Sequence, residues 1–310
     1  LFSLSARQRL VIVMTVGLTL SDTSSLDDMS AIVIASAIAN VEPAGPAAAL
    51  VHQVPIPQGA KQVNLPFWGR QAATALTEGI AIPEPQQVNV TVRSLTATEH
   101  GILTFVSDRL KRQNNENVLA QVGVMQGNAV GRLRDKDVIA LWGSVATDIG
   151  AAGANNDLDD IAGAIAFLQT DNDADFGPAP GTPNIVIHPE QLRRLASASI
   201  PLSSGAVGST LPPGGISEDI IKSYWRGNDP IMGCPIYVDG NITRDSSGDS
   251  IGCAFVDMAF SLAQATEIDS NDDDDIRLRG TEIVTVAEWG ELENVDKWAV
   301  TLTGATDAQT

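Results

Sequence analysis

The sequence predicts an α+β fold in which extended arms, a long spine helix and a compact mixed layer are separate parts. Three observations carry this reading. Thr96–Trp142 holds the most periodic helical pattern: Ile102, Val106 and Leu110 recur at i, i+4 and i+8, and Val118, Leu119 and Val122 resume the stripe. Residues 50–95 alternate short extended runs with prolines and hold little that could form a core of their own. Residues 149–268 alternate helical and strand-like runs, as a compact α/β layer does. The totals agree. At roughly 150 residues per domain, 310 residues suggest two domains. Aromatics make up only 5% of the chain, and 27 Gly with 16 Pro punctuate it, which favours flat layers and arms over one large globule.

Taken in order, Leu10–Leu20 is an apolar run after Arg7 and Arg9. It is far shorter than the ~20 residues of a membrane span, and no small-residue cleavage site follows, so a buried strand or helix is expected. The opening on Leu1 instead of Met suggests that a short upstream piece is missing. Ser24 or Ser25 can cap a helix over Leu26–Val41, with Asp27 and Asp28 in its first turn and an apolar surface from Ala31 to Ala39 that other protein would cover. Pro43 and Pro46 end it.

Leu50–Ile56 and Val63–Trp68 read as strands, and Val88, Val90 and Val92 alternate with polar residues as one face of a third. About 30 residues between extended runs are too many for a structureless loop inside a compact domain, so this segment is expected to project and find partners on another subunit. Thr96–Glu99 reads as a capping box that starts the spine helix, with breaks expected near Asn114–Asn115 or Gly123. Its Arg109, Lys111, Arg112, Arg132 and Arg134 form a basic patch suited to acidic loops of neighbouring subunits.

Beyond the spine, Asp157–Gln169 is helical, with Leu158, Ile161, Ile165 and Leu168 on one face. An acidic, Pro-rich loop (171–183), a strand (184–188), a helix opening on Pro189, a flexible stretch (201–215) and a helix (216–225) follow. Strands at 235–238 and 253–257 flank a polar turn. Asp269–Asp275 is a charge run expected to be a solvated loop. Glu282–Ala287 and Lys297–Thr303 are expected to close the chain as a hairpin beside the spine, with Trp298, Val300 and Leu302 facing Val284 and Val286.

The charge balance, 38 acidic against 19 basic residues for a net −19, repels nucleic acid on average. No basic stripe of the kind duplex binding needs is present, and residues 137–191 contain no Lys or Arg. Cys234 and Cys253 make neither a disulfide framework nor a metal ligand set, and are expected to be reduced and buried.

Catalytic motifs are weak. Gly248–Gly252 matches G-x-S-x-G around Ser250, but a nucleophile elbow needs a strand before the Ser, a helix after it and a later His, whereas His52, His100 and His188 all lie upstream. Asp272–Asp275 lacks the spacing of a calcium loop. His188-Pro189-Glu190 reads as a strand-to-helix corner, and the sequons at Asn89 and Asn241 as chance matches. No metal, cofactor or catalytic set is expected.

The layout resembles the major capsid proteins of tailed bacteriophages, which share the Hong Kong 97-type shell fold. The resemblance rests on the Pro-bounded loop from Val54-Pro55-Ile56-Pro57 to Val92 and on the spine from Thr98. It rests also on Ile185–Leu192, Pro230–Val238, Gly252-Cys253-Ala254-Phe255 and the closing Arg277–Leu302. It implies an N-terminal arm (1–49), an extended β-hairpin loop (50–95), a spine helix of a peripheral domain (96–144), an axial α/β domain (145–268) and a return to a peripheral β-hairpin (269–310). It implies a structural, non-enzymatic protein that self-assembles through pentamers and hexamers into an icosahedral shell around a double-stranded DNA genome. The shell would form in the host bacterial cytoplasm and end in the virion. Portal, scaffolding and cement proteins would be partners, DNA contact would be weak and non-specific, and no membrane would be involved. The residues expected at assembly interfaces are Lys61, Phe67, Trp68, Arg70, Arg109, Arg112, Arg132 and Arg134. Some members crosslink through a loop Lys, but the single Lys61 is no motif and no crosslink is expected. An encapsulin-like nanocompartment shell shares the fold. An acidic serine hydrolase using Ser250, or a surface-layer protein with a secretion signal, would be rivals from other classes. A jelly roll would need eight short strands and no long helix.

Overall fold

The structure, a computed structural model, describes residues 45–306 apart from 58, 74, 77, 80–86, 114–117, 174 and 200–231. The expected N-terminal run and helix over 10–20 and 26–41, the stretch 201–215 and the helix 216–225 lie outside the described residues.

Strand formation dominates where β-branched residues repeat at period two. β9 (Phe260–Asp275) and β10 (Gly280–Glu293) form a long antiparallel hairpin. Along β10, Thr281, Ile283, Thr285, Ala287 and Trp289 are buried in alternation. The tip holds Arg279 at φ 56°. β1 (His52–Pro55) adds parallel to the outer side of β9, and β4 (Thr98–Ser107) adds antiparallel to β10, giving a four-stranded sheet in the order β1-β9-β10-β4.

β4 corrects the expected spine. Thr98–Ser107 is a strand and not the first turns of a helix, so no capping box forms at Thr96–Glu99. Ile102, Val106 and Leu110 are spaced by four, which satisfies a period of two as well as a period near 3.6. The ladder to β10, running from Gly280↔Ser107 to Trp289↔Thr98, settles the choice by pairing backbone groups along the whole segment. The helix begins only at α2 (Asp108–Gln113), where the Leu110 amide donates to Ser107 Oγ. It resumes as α3 (Val118–Ala140), which ends in a 3₁₀ turn at Leu141–Ser144.

The charge run is the second correction. Asp272–Asp275 belong to β9, opposite Ile283–Gly280 of β10, and not to a loop. Their side chains stay on the surface while the backbone pairs, so the strand forms without burying charge. Asp274 accepts from Thr281 Oγ1 and lies 3.7 Å from Lys111 Nζ. The Thr281 hydroxyl and then Lys111 hold its carboxyl below the usual range.

A five-stranded sheet has the order β5-β11-β8-β6-β7, built from β5 (Asp148–Gly150), β6 (Asn184–Ile187), β7 (Ile236–Val238), β8 (Asp249–Phe255) and β11 (Ala299–Ala305). α4 (Leu158–Gln169) starts on a capping box between Asp157 and Asp160, and buries Ile161, Ala164, Ile165 and Leu168. With α5 (Pro189–Ser199) it covers a face holding Ile185, Ile187, Ala254, Val300 and Leu302. β11 is the third correction: it does not pair with 282–287 but enters this sheet beside β8 and β5. Nearly every residue of β11 is buried, a pattern that an interior strand needs and a terminal hairpin does not. Cys234 and Cys253 are free and buried, and burial raises both thiols above their usual range.

The two sheets meet over Trp142, Phe255, Phe260 and Trp289. α3 closes onto β10 through a polar seam. Gln126 donates to Thr104 Oγ1 at 2.7 Å and to the Ile283 carbonyl at 3.0 Å, and accepts from Thr285 Oγ1 at 2.7 Å. Trp289 stacks on His100 with centroids 4.0 Å apart and donates to Asp137 at 3.1 Å. Gln126→Leu removes a partner of the buried Thr285 hydroxyl and of the half-buried Thr104 hydroxyl, and urea unfolding is expected to show a loss of about 2 kcal/mol. An unchanged midpoint would show that the seam contributes nothing to stability.

Candidate assembly interface

β2 (Gln62–Trp68) and β3 (Val90–Thr96) form a two-stranded ribbon whose register sorts its side chains by parity. Val63 faces Leu95 and Leu65 faces Arg93, and this side leans on Ile56 and Ala263 of the body. Phe67 lies edge-on to Phe176 at 6.4 Å. The other side presents Pro66↔Val92 and Trp68↔Val90 to solvent. Trp68 is 67% exposed, Val92 56% and Val88 51%. The alternating valines visible in the sequence are therefore the uncovered face of the ribbon. A two-stranded ribbon is marginal by itself in water, and this one leaves large apolar side chains on one face without cover from its own described residues.

The loop end of the ribbon is fastened to the same chain. Gly69 N donates to the Asn89 carbonyl, and Arg70 N to the Asp175 carbonyl at 2.7 Å. Arg70 Nη2 lies 2.7 Å from Asp171 Oδ2, and that carboxylate raises the guanidinium pKa further. Both side chains are about half exposed, so solvent screens the pair. Phe176 passes the contact inward, edge-on to Trp298 at 6.0 Å, while Trp298 Nε1 donates to the Gly177 carbonyl. Arg70, expected to face a neighbour, thus engages the acidic loop of its own chain. Trp298, expected beside the spine, anchors that loop. Sequence reading missed Asp171 and Phe176, whose only signal is their place in an acidic, Pro-rich loop.

The structure does not gather the basic residues into one patch. Arg109 is exposed on α2, and Arg112 Nε donates to the Asp108 carbonyl one turn back. Lys111 bonds Thr281 Oγ1. Arg132 and Arg134 lie on α3, lining a cavity of about 540 Å³ with Gly45, Gln53 and Gln264. Lys61 is exposed at the foot of β2, where its carbonyl accepts from Ala97 N.

The hydrolase motif does not have elbow geometry. Ser250 lies inside β8 and is 1% exposed, its carbonyl accepting from Gln191 Nε2. An elbow would place the hydroxyl on an exposed turn into a helix. His188 sits at the β6–α5 corner, its Nδ1 accepting from Glu190 N, and burial lowers its pKa.

No family model and no curated protein matches the chain. Solved structures do. The fold is similar over most of its length to those of phage capsid structures. The capsid of Ralstonia phage GP4 matches with a TM-score of 0.64 and 11% identity, over 85% of this chain and 89% of that one. The capsid of the native GTA particle matches at 0.62 and 11%, over 86% and 91%. The structure titled Mycobacterium phage Che8 matches at 0.59 and 17%, over 78% and 84%. The architecture is the Hong Kong 97-type capsid fold, α+β with an extended hairpin beside a spine helix.

Phe176→Ala deletes two aromatic pairs worth about 1 kcal/mol each. Trypsin cleavage after Arg70 is expected to accelerate by roughly tenfold or more, while the far-ultraviolet circular dichroism stays the same. An unchanged cleavage rate would mean that the loop end of the ribbon is held without Phe176.

Proposed function

We propose that this chain is a major capsid protein that self-assembles through pentamers and hexamers into an icosahedral shell around a double-stranded DNA phage genome. The observation that supports this most is the uncovered apolar face of the ribbon. Trp68, Val88, Val90 and Val92 sit on a projecting element beside a body of capsid fold. Contiguous exposed apolar surface of this kind marks an interaction site, and a shell of identical subunits supplies another copy of this chain to cover it. The net −19 charge suits an inner wall that does not adhere to packed DNA.

In this reading residues 1–49 act as an N-terminal arm, 50–95 as the extended loop and 96–144 as the spine region of a peripheral domain. Residues 145–268 form the axial domain, and 269–310 return to the periphery before β11 re-enters the five-stranded sheet. Phe67, Trp68 and Lys61 belong to the loop contact. Arg109, Arg112, Arg132 and Arg134 face acidic surfaces of neighbours, with Arg70 held at the loop end of the ribbon. The protein would assemble in the host cytoplasm, reside in the virion, work with portal, scaffolding and cement proteins, and catalyse no reaction.

Expressed chains are expected to elute as rings or shells and to show closed particles by negative stain. Trp68→Asp with Val92→Asp is expected to abolish assembly and leave folded subunits with unchanged circular dichroism. A native chain that stays monomeric at high concentration would overturn the proposal. Particles that form normally with both aspartates would remove the ribbon face from it.

A further inference from the structure

Two aspartates are buried side by side where three parts of the chain meet. Asp135 lies on α3 and Asp239 directly after β7, and each is 1% exposed. α1 (Ala47–Leu50) packs on the same spot. Asp135 Oδ1 accepts from Ala48 N at 3.1 Å and its Oδ2 from Asn241 Nδ2 at 2.9 Å. Asp239 Oδ1 accepts from Asn241 N at 2.8 Å, and the carboxyl also accepts from the Ala47 amide. Its backbone is fixed by Asp239 N donating to the Ile187 carbonyl. Gly45 is demanded here, because a Cβ on it would lie 1.9 Å from Asp135 Oδ2.

One atom is left over. Asp239 Oδ2 is buried and has no N–H or hydroxyl to accept from, and its neighbour is the Asp135 carboxylate. The other groups at this point are neutral amides. α1 brings no titratable side chain. Arg134 and Lys136 flank Asp135 on α3, but they line different cavities, Arg134 with Gly45 and Ala48, Lys136 with Asn241 and Asp245. Further along the turn, Arg244 acts on His188 and Glu190. Among the described residues neither aspartate has an ion-pair partner. Two adjacent buried carboxylates without a cation cannot both ionise at low cost. A proton on Asp239 Oδ2, donated to Asp135, satisfies the orphan atom and removes the repulsion together.

We infer that Asp135 and Asp239 share a single proton, and that this acid–carboxylate pair is a pH-sensitive latch holding α1 and the β7–β8 turn against the spine helix. Burial, and then the bond to Asp135, push the Asp239 carboxyl from 3.8 up to about 7. The folded chain therefore holds a proton that the unfolded chain releases. The stabilisation is complete below about pH 4 and is lost as pH rises through about 7, by up to about tenfold in the folding constant per pH unit. Above that window Asp239 has lost the proton it donates to Asp135, and the latch is released.

The test follows hydrogen exchange of the Ala47 and Ala48 amides, corrected for its intrinsic pH dependence, from about pH 5 to about pH 8 in the native chain and in Asp239→Asn. An Asn offers the same acceptor and a permanent N–H donor toward Asp135. Protection is expected to fall by roughly tenfold or more in the native chain and to stay level in the variant. A carboxylic-acid C=O infrared band is expected near pH 6 in the native chain and absent from the variant. Parallel exchange profiles, or no such band in the native chain, would overturn the inference. An Asp239→Asn chain that fails to fold would overturn it too, because the amide reproduces every hydrogen bond of the protonated acid.

Discussion

The seam between α3 and β10 is the constraint on which the rest of the architecture depends. A 23-residue helix with a weak apolar stripe cannot hold itself on a sheet by burial alone. Gln126 supplies what the stripe lacks by bridging Thr104 on β4 with Ile283 and Thr285 on β10. The Thr285 hydroxyl and the Gln126 amide are buried and would be costly to leave unpaired, so the helix has one register on the sheet and not several. With that register set, Trp289 reaches Asp137 and stacks on His100, and the helix end carries Trp142 against Phe255 of the other sheet. The helix is thus the strut that fixes one sheet relative to the other.

From this frame the chain extends a ribbon that it holds at both ends and along one face and leaves open on the other face. The loop end is secured by backbone bonds and by the row Phe67–Phe176–Trp298. The screened pair Arg70–Asp171 adds direction more than strength. This arrangement gives a projecting apolar face in a defined orientation, which lowers the ordering cost of covering it. Sparse aromatics fit the same economy, since among the described residues the paired rings fall at the seam, the sheet junction and the loop end of the ribbon.

Elements with a single consistent local signal were legible. α4 shows apolar residues in one stripe, and the stripe is found buried, while the capping box at Asp157 emerged only in the structure. The strand, Pro and helix at Asn184–Leu192 form the expected corner. The ribbon strands and their alternating valines were readable too, though whether that face was covered was not, because periodicity identifies a face and says nothing of what lies on it. The candidate interface was only partly legible. Trp68 and Phe67 lie on the ribbon as expected, whereas Asp171 and Phe176 carry no local pattern and become neighbours of the ribbon only through the fold.

By itself the sequence determined an α+β chain with an extended arm, an amphipathic helix in a mixed layer and an acidic balance, because composition and unambiguous periods are properties of neighbouring residues. Only the tertiary structure decided three further matters. Residues 98–107 are a strand because a spacing of four serves both periods and the partner β10 breaks the tie. Asp272–Asp275 join a strand because a ladder needs backbone groups and lets charged side chains remain in water. β11 leaves β10 for the other sheet because Val300 and Leu302 find the covered face beneath α4. Each decision turns on which distant segment supplies backbone partners or burial, and that information resides in pairs of segments and not in either one.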